Sequence, residues 1–127
     1  MSDMTAWRIL VVEDEPDGQE VMSAILGHFN VSHSLASSGQ EALELLSHQD
    51  YTAVVIDIEL PDIDGLSLLQ MIRENPDTAS LPCLAYTAYH SSVVKKQAIE
   101  MGCNAYLTKP VNDNYFIHEL ERVIESV

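Results

Sequence analysis

Glu13, Asp14, Asp57, Thr87 and Lys109 are the residues of this sequence whose types could combine into one piece of chemistry. Three carboxylates brought within a few ångströms repel one another and hold protons unless a cation joins them. Oxygen-only ligands with room for water suit Mg²⁺, which takes one or two carboxylates and keeps several waters. With the charge balanced, Asp57 can stay ionised and act as a nucleophile towards a phosphoryl group, forming an acyl phosphate. The charge on the transferring oxygens then needs positive or hydrogen-bonding partners, which Mg²⁺, the Lys109 ammonium and the Thr87 hydroxyl would supply. No histidine is required.

These residues act together only if the chain folds so that they meet. Arg8 to Val12 is a short, β-branched run followed at once by acids, as expected for a strand buried on both faces. Pro16 suits a first helical turn, and Val21, Met22, Ile25, Leu26 and Phe29 recur at helical spacing. Val31 to Ala36 is a more polar strand expected near an edge, and Ser37-Ser38-Gly39 breaks it. Ala42, Leu43, Leu45 and Leu46 support a second helix, and Ala53 to Ile56 form a third strand. A loop from Asp57 to Asp64 contains Pro61, and Gly65 leads into a helix carrying Leu66, Leu68, Leu69 and Ile72. Pro82 to Tyr86 reads as a fourth strand, and Ser91 caps a helix running to Met101, which Gly102 ends. Ala105 to Thr108 is a fifth strand. After Pro110, Asn112 or Asp113 caps a last helix with Phe116, Leu120, Val123 and Val127 on one face.

Five β-α units imply a single doubly wound α/β domain over residues 1–127, a five-stranded parallel sheet with helices on both faces. In such sheets the carboxyl ends of the strands form one rim, where ligands bind. Glu13 and Asp14 follow the first strand, Asp57 the third, Thr87 the fourth and Lys109 the fifth. Alone, Glu13-Asp14 would be a solvated loop, Asp57 a turn residue and Lys109 a snorkelling surface lysine. Their joint placement on one rim argues for a shared site.

The 127 residues include 20 acids and 6 bases, a formal charge of -14 that repels phosphate backbones and anionic bilayers. Neither nucleic acid nor membrane is an expected partner. Met1 to Trp7 has no basic cluster and does not read as a signal peptide, so a cytoplasmic protein is expected. Cys83 and Cys103 form no disulfide framework, and Cys83 reads as a small buried apolar residue. The five histidines, His28, His33, His48, His90 and His118, lack ligand spacing. Asp62-Ile63-Asp64-Gly65 fails as a calcium loop, because Leu60 and Met71 would take the first and last ligand positions. Lys95-Lys96 is too small a patch for nucleic acid but could meet an acidic partner.

The chain resembles a response regulator receiver domain over nearly its whole length. The resemblance is carried by Val11-Val12-Glu13-Asp14, by Asp57 with Pro61 and Gly65, by Thr87-Ala88, and by Gly102 with Ala105-Tyr106-Leu107-Thr108-Lys109-Pro110. It implies a flavodoxin-like strand order, 2-1-3-4-5, with five helices. It also implies that Asp57 accepts phosphate from a histidine kinase or histidine phosphotransfer protein. Asp14 would bind Mg²⁺ directly and Glu13 mainly through water, with Asp57 and the Glu59 backbone carbonyl as further ligands. Thr87 and Tyr106 would form a switch pair acting on the surface of the fourth helix, fifth strand and fifth helix, where a downstream protein binds. Glu59 and Tyr89, two residues after Asp57 and Thr87, depart from the commonest pattern and would tune the lifetime of the phosphate.

A haloacid-dehalogenase-type phosphatase would also use an aspartate nucleophile and Mg²⁺. It wants a second aspartate where Glu59 stands and a small residue where Leu60 stands. A receiver kept only for docking would have lost part of the acidic pocket or the lysine, and both are present. The expectation is a phosphoacceptor switch rather than an enzyme with its own turnover, a stand-alone regulator or a domain of a larger regulator or hybrid kinase.

Overall fold

The computed structural model describes residues 3–126. Its strands are β1 (Arg8–Val12), β2 (Ser32–Ala36), β3 (Ala53–Asp57), β4 (Cys83–Thr87) and β5 (Ala105–Thr108). They alternate with α1 (Pro16–His28), α2 (Gly39–His48), α3 (Gly65–Glu74), α4 (Ser92–Glu100) and α5 (Asp113–Glu125). The sheet is parallel throughout, in the order β2-β1-β3-β4-β5. This is the flavodoxin-like order that the family resemblance implies, with the polar β2 at an edge as its composition suggests.

Alternation along each strand divides the core into layers. Ile9 and Val11 face one side, where Met22, Leu26, Phe116, Leu120 and Val123 of α1 and α5 cover them. Leu10 and Val12 face the other, against Ala42 of α2 and Leu68, Leu69 and Ile72 of α3. Each fully buried aliphatic or aromatic side chain contributes roughly 1.5–3 kcal/mol through apolar area removed from water. A third, much smaller cluster holds α4 by Ala98, with Val94 and Tyr106 packed beside it. The attachment of α4 to the sheet is therefore light.

Helix starts follow capping chemistry. Pro16 opens α1, and Ser38, Asp64, Ser91 and Asn112 accept from the N–H groups of Glu41, Ser67, Val94 and Tyr115. Gly102, with φ 103°, turns the chain out of α4.

Several expectations need correction. Asp57 and Thr87 are the last residues of their strands rather than the first residues after them, because the ladder continues through the pairs Asp57–Tyr86 and Thr87–Thr108. Val21 lies in α1 as its spacing suggests but is 50% exposed, at the rim of an open groove. Met101 lies one residue beyond the end of α4 and is exposed, so the apolar contacts of that helix come from Val94 and Ala98. Val127, expected on the buried face of α5, lies outside the described residues, as does Met1.

Candidate functional site

The parallel register sets the strand ends side by side, and hydrogen bonds past the strands extend it. The Glu13 N–H donates to the Ala36 carbonyl (2.9 Å), that of Ile58 to Tyr86 (3.0 Å) and that of Lys109 to Thr87 (2.9 Å). The backbone around each candidate residue is thus fixed by its neighbouring strand. Gly65 closes the β3-α3 loop tightly, its N–H donating to the Ile58 carbonyl at 2.7 Å. A Cβ there would stand 2.5 Å from the Asp57 carbonyl oxygen, so only glycine permits this approach.

Within this frame Glu13, Asp14 and Asp57 bring one carboxylate oxygen each to within 4.8 Å of one another. Glu13 is wholly buried, Asp57 and Thr87 nearly so, and Asp14 is half-buried. The Lys109 ammonium donates to Glu13 Oε1 and to Asp57 Oδ2, both at 2.8 Å. The second oxygens are also occupied: Glu13 Oε2 accepts from the Glu15 N–H (3.0 Å) and Asp57 Oδ1 from the Glu59 N–H (2.9 Å). A cleft of about 480 Å³ opens over the group, bordered by Asp14, Glu59, Ala88, Tyr89 and Lys109.

One ammonium serves two buried acids, and their surroundings decide the competition. Burial pushes Glu13 up, but Lys109, the Glu15 N–H and the Tyr86 hydroxyl outweigh it and hold the carboxyl below its ordinary range. Burial also pushes Asp57 up, to about 6; Lys109 and the Glu59 N–H only partly offset it, and the Glu13 charge adds to the rise. Burial disfavours the charged form of Lys109, yet the two carboxylates more than compensate and keep it protonated. Three carboxylates against one ammonium leave net negative charge in a concave, partly dehydrated place. Hard oxygen donors at this spacing, with Asp14 facing the cleft, are a donor set that fits Mg²⁺.

The remaining expected residues surround this core. The Thr87 hydroxyl accepts from the Tyr89 N–H (3.1 Å) and donates to Glu59 Oε1 at a long 3.4 Å. Glu59 thus spans the rim between Asp57 and Thr87. The Tyr89 side chain is 74% exposed, so the contact of Tyr89 with the Thr87 hydroxyl is through its backbone. Tyr106 pairs with Ala85, two residues before Thr87, and so lies on the same face of the sheet as Thr87. It is half-buried, and its hydroxyl meets His90 Nδ1 at 3.3 Å.

Two residues at the site were not singled out from the sequence. Tyr86 donates its hydroxyl proton to Glu13 Oε1 (2.8 Å), and the Lys109 ammonium lies 4.6 Å from its ring centroid. Gly18, in the first turns of α1, leaves the space that the Glu13 carboxylate fills. A tyrosine in an otherwise aliphatic strand beside a buried acid was the available signal for the first. Nothing local marked the second.

A family model described as the response regulator receiver domain matches residues 9–121. An uncharacterized 14.6 kDa protein encoded in the sodA1 3' region of Leptolyngbya boryana is 35% identical over 88% of this chain and 86% of its own length. Response regulator Rre1 of Synechocystis is 34% identical over 94% of this chain. The chain spans 50% of Rre1 and 24% of the response regulator protein PilR of Pseudomonas aeruginosa. Among solved structures, the receiver domain of a Pseudomonas aeruginosa sensor histidine kinase superposes with a TM-score of 0.87 at 31% identity, covering 94% of this chain and 98% of that one. That structure holds a magnesium ion coordinated in its active-site cleft.

Proposed function

Because this chain belongs to the response regulator receiver domain family of two-component signalling systems, we propose that Asp57 accepts a phosphoryl group from a histidine kinase or histidine phosphotransfer protein. The observation that carries this reading is the buried Asp57 carboxylate, with Lys109 Nζ at 2.8 Å and the Glu13 and Asp14 carboxylates beside it. An Asp57 carboxylate oxygen attacks phosphorus, the O–P bond forms, and the P–N bond to the donor histidine breaks. The bonding electron pair leaves with the imidazole. Lys109 and the Thr87 hydroxyl stabilise the peripheral oxygens. Asp14 and Asp57, with the Glu59 carbonyl, are the residues that would hold Mg²⁺ directly, and Glu13 would act mainly through water. The ion supplies charge neutralisation between the acids and the incoming phosphoryl group.

Switching follows from the same contacts. The Thr87 hydroxyl exchanges its weak bond to Glu59 for a phosphoryl oxygen, and Tyr106 turns inward from His90 into the space that opens. This biases the surface made by α4, β5 and α5, to which a downstream protein target binds. Glu59 and Tyr89 border the cleft from which water reaches the acyl phosphate, and their place suits them to set its lifetime. The domain acts as a cytoplasmic phosphoacceptor switch that assists its own phosphorylation and dephosphorylation. It works alone or as one module of a larger regulator or hybrid kinase.

Incubation with Mg²⁺ and acetyl phosphate should give one acid-stable, alkali-labile phosphate per chain. Chelation of Mg²⁺ or Asp57→Asn should abolish it. Transfer that persists in Asp57→Asn would refute the assignment.

A further inference from the structure

We propose that Tyr86 is a positioning residue of this site: its hydroxyl keeps Glu13 satisfied so that the Lys109 ammonium can leave Glu13 for the phosphoryl group on Asp57. The inference rests on the reading of Asp57 as the phosphoacceptor.

Tyr86 immediately precedes Thr87 on β4, and alternation along the strand sends the two side chains to opposite faces. Thr87 faces the α4 side. Tyr86 is buried in the apolar layer shared with α1 and α5, in one cluster with Met22, Leu26 and Phe116. A tyrosine hydroxyl in such a layer requires a partner, and it finds Glu13 Oε1 at 2.8 Å. The Lys109 ammonium donates to the same oxygen at 2.8 Å and sits 4.6 Å from the Tyr86 ring centroid. Tyr86 therefore touches both charges that flank Asp57 and makes no hydrogen bond to Asp57 itself.

The consequence appears when the ammonium has to choose. In the structure Lys109 divides its hydrogen bonds between Glu13 and Asp57. A phosphoryl group on Asp57 adds three anionic oxygens that compete for the same cation. Glu13 is wholly buried, so departure of Lys109 would leave Oε1 without a donor unless another group remained there. An unsatisfied buried acceptor is costly, more so when it is charged. The Tyr86 hydroxyl is the group that remains. It lowers the cost of releasing Lys109 towards phosphorus, while the ring face offers the ammonium a favourable surface along the way. A residue that merely filled the core would need the ring alone.

The test compares Tyr86→Phe with the wild-type full chain by calorimetry, using Mg²⁺ alone and then beryllium fluoride as a phosphoryl mimic in the presence of Mg²⁺. Phenylalanine keeps the ring and removes the hydroxyl. Mg²⁺ affinity should stay within about threefold, because Asp14 and Asp57 are untouched. Beryllium fluoride affinity should fall at least about tenfold, near the lower end of what one hydrogen bond to a charged acceptor contributes. That loss should shrink to less than about twofold in a Glu13→Gln background, where no buried charge competes for Lys109. Unchanged beryllium fluoride affinity in Tyr86→Phe would overturn the proposal. So would an equal loss in both backgrounds, or a parallel fall in Mg²⁺ affinity and melting temperature, which would assign Tyr86 to packing. A wild-type chain that bound neither probe would instead remove the reading of Asp57, and this inference with it.

Discussion

Replacing Lys109 by methionine removes the one cation that two buried acids share. Methionine retains most of the aliphatic stem, so the change isolates the charge. The side chains left behind are almost inaccessible, Glu13 at 0% and Asp57 at 5%, and each loses a 2.8 Å contact. Taking one partner from a buried ion pair costs about 3–5 kcal/mol when the other charge has nowhere to go. Here Glu13 keeps the Tyr86 hydroxyl and the Glu15 N–H, and Asp57 keeps the Glu59 N–H. The lower end of that range, about 3 kcal/mol at pH 8, is therefore expected. Without the ammonium, burial and the Glu13 charge hold Asp57 still further above its unfolded value of 3.8, and Glu13 loses the strongest of the contacts that keep it low. The folded variant then binds more protons than its unfolded chain. Its stability is intact below the unfolded value of Asp57 and is lost as pH rises through the raised one. The deficit should accordingly be largest at about pH 8 and shrink by at least half at about pH 5.5. Millimolar Mg²⁺ should also reduce it at pH 8 by supplying a cation to the same oxygens. Urea denaturation at both pH values, with and without Mg²⁺, measures all three. A deficit independent of pH and Mg²⁺ would refute the electrostatic account and leave only lost packing.

Three further outcomes are expected. Arg73→Ala should cost about 2–3 kcal/mol in urea unfolding at constant m-value. Its guanidinium donates to the carbonyls of Gly102, Leu81 and Ala79 and to Asn104 Oδ1. Arg73→Lys should recover less than half of that, because an ammonium cannot reproduce the planar fork. Gly18→Ala places a methyl group into the Glu13 carboxylate and should weaken Mg²⁺ binding about tenfold by calorimetry. Unchanged affinity would show that Glu13 can retreat freely. Finally, with Asp57 raised to about 6, protons compete with the metal below that value. Mg²⁺ affinity should be about tenfold weaker at pH 5 than at pH 8, and a flat profile would contradict the raised value.

The fold and the rim residues were legible because both are written in local pattern. Short apolar runs alternating with amphipathic stretches dictate β-α units, and successive β-α units put the carboxyl ends of the strands on one rim, while the strand order came from the family resemblance. Glu13, Asp57, Thr87 and Lys109 could therefore be assigned to one rim without knowledge of any contact. What was not legible depends on which distant atoms meet. Tyr86 passes for one more apolar strand residue until the position of Glu13 is known. Arg73 passes for a surface base, because its partners are backbone carbonyls that no sequence distinguishes. Asp62 accepts from the N–H groups of Gly39 and Gln40, both at 3.0 Å, and so ties the β3-α3 loop to the start of α2. A contact spanning more than twenty residues has no local signature. Val21 shows a further limit, since helical spacing placed it correctly on α1 but does not tell where an apolar face runs past the edge of its cover.

In the proposed switch, the attachments of α4 set how a change at Thr87 would reach the outer surface. At its C-terminal end, the Gly102 carbonyl accepts from both Nε and Nη2 of Arg73, at 3.0 and 2.8 Å, and the Cys103 N–H returns to the Ala98 carbonyl. Ala98, the buried residue of the helix, lies near this end. The N-terminal end is capped only by its own Ser91 and follows the exposed residues Ala88, Tyr89 and His90. Those residues connect it directly to Thr87. In the proposed switch the helix is thus held at its C-terminal end and acted on from its N-terminal end. Nine residues at 1.5 Å per residue give a lever of about 13 Å, so a tilt of about 10° would move the free end by about 2 Å. Beneath the helix lies the small cluster of Ala98, Val94, Ile58, Ala85 and Tyr106, which such a tilt would have to repack. The exposed Val93, Lys95 and Lys96 lie along the first half of the helix, where displacement is greatest. A partner reading the state of Asp57 through α4 would sense it best at these residues, and least beside Gly102.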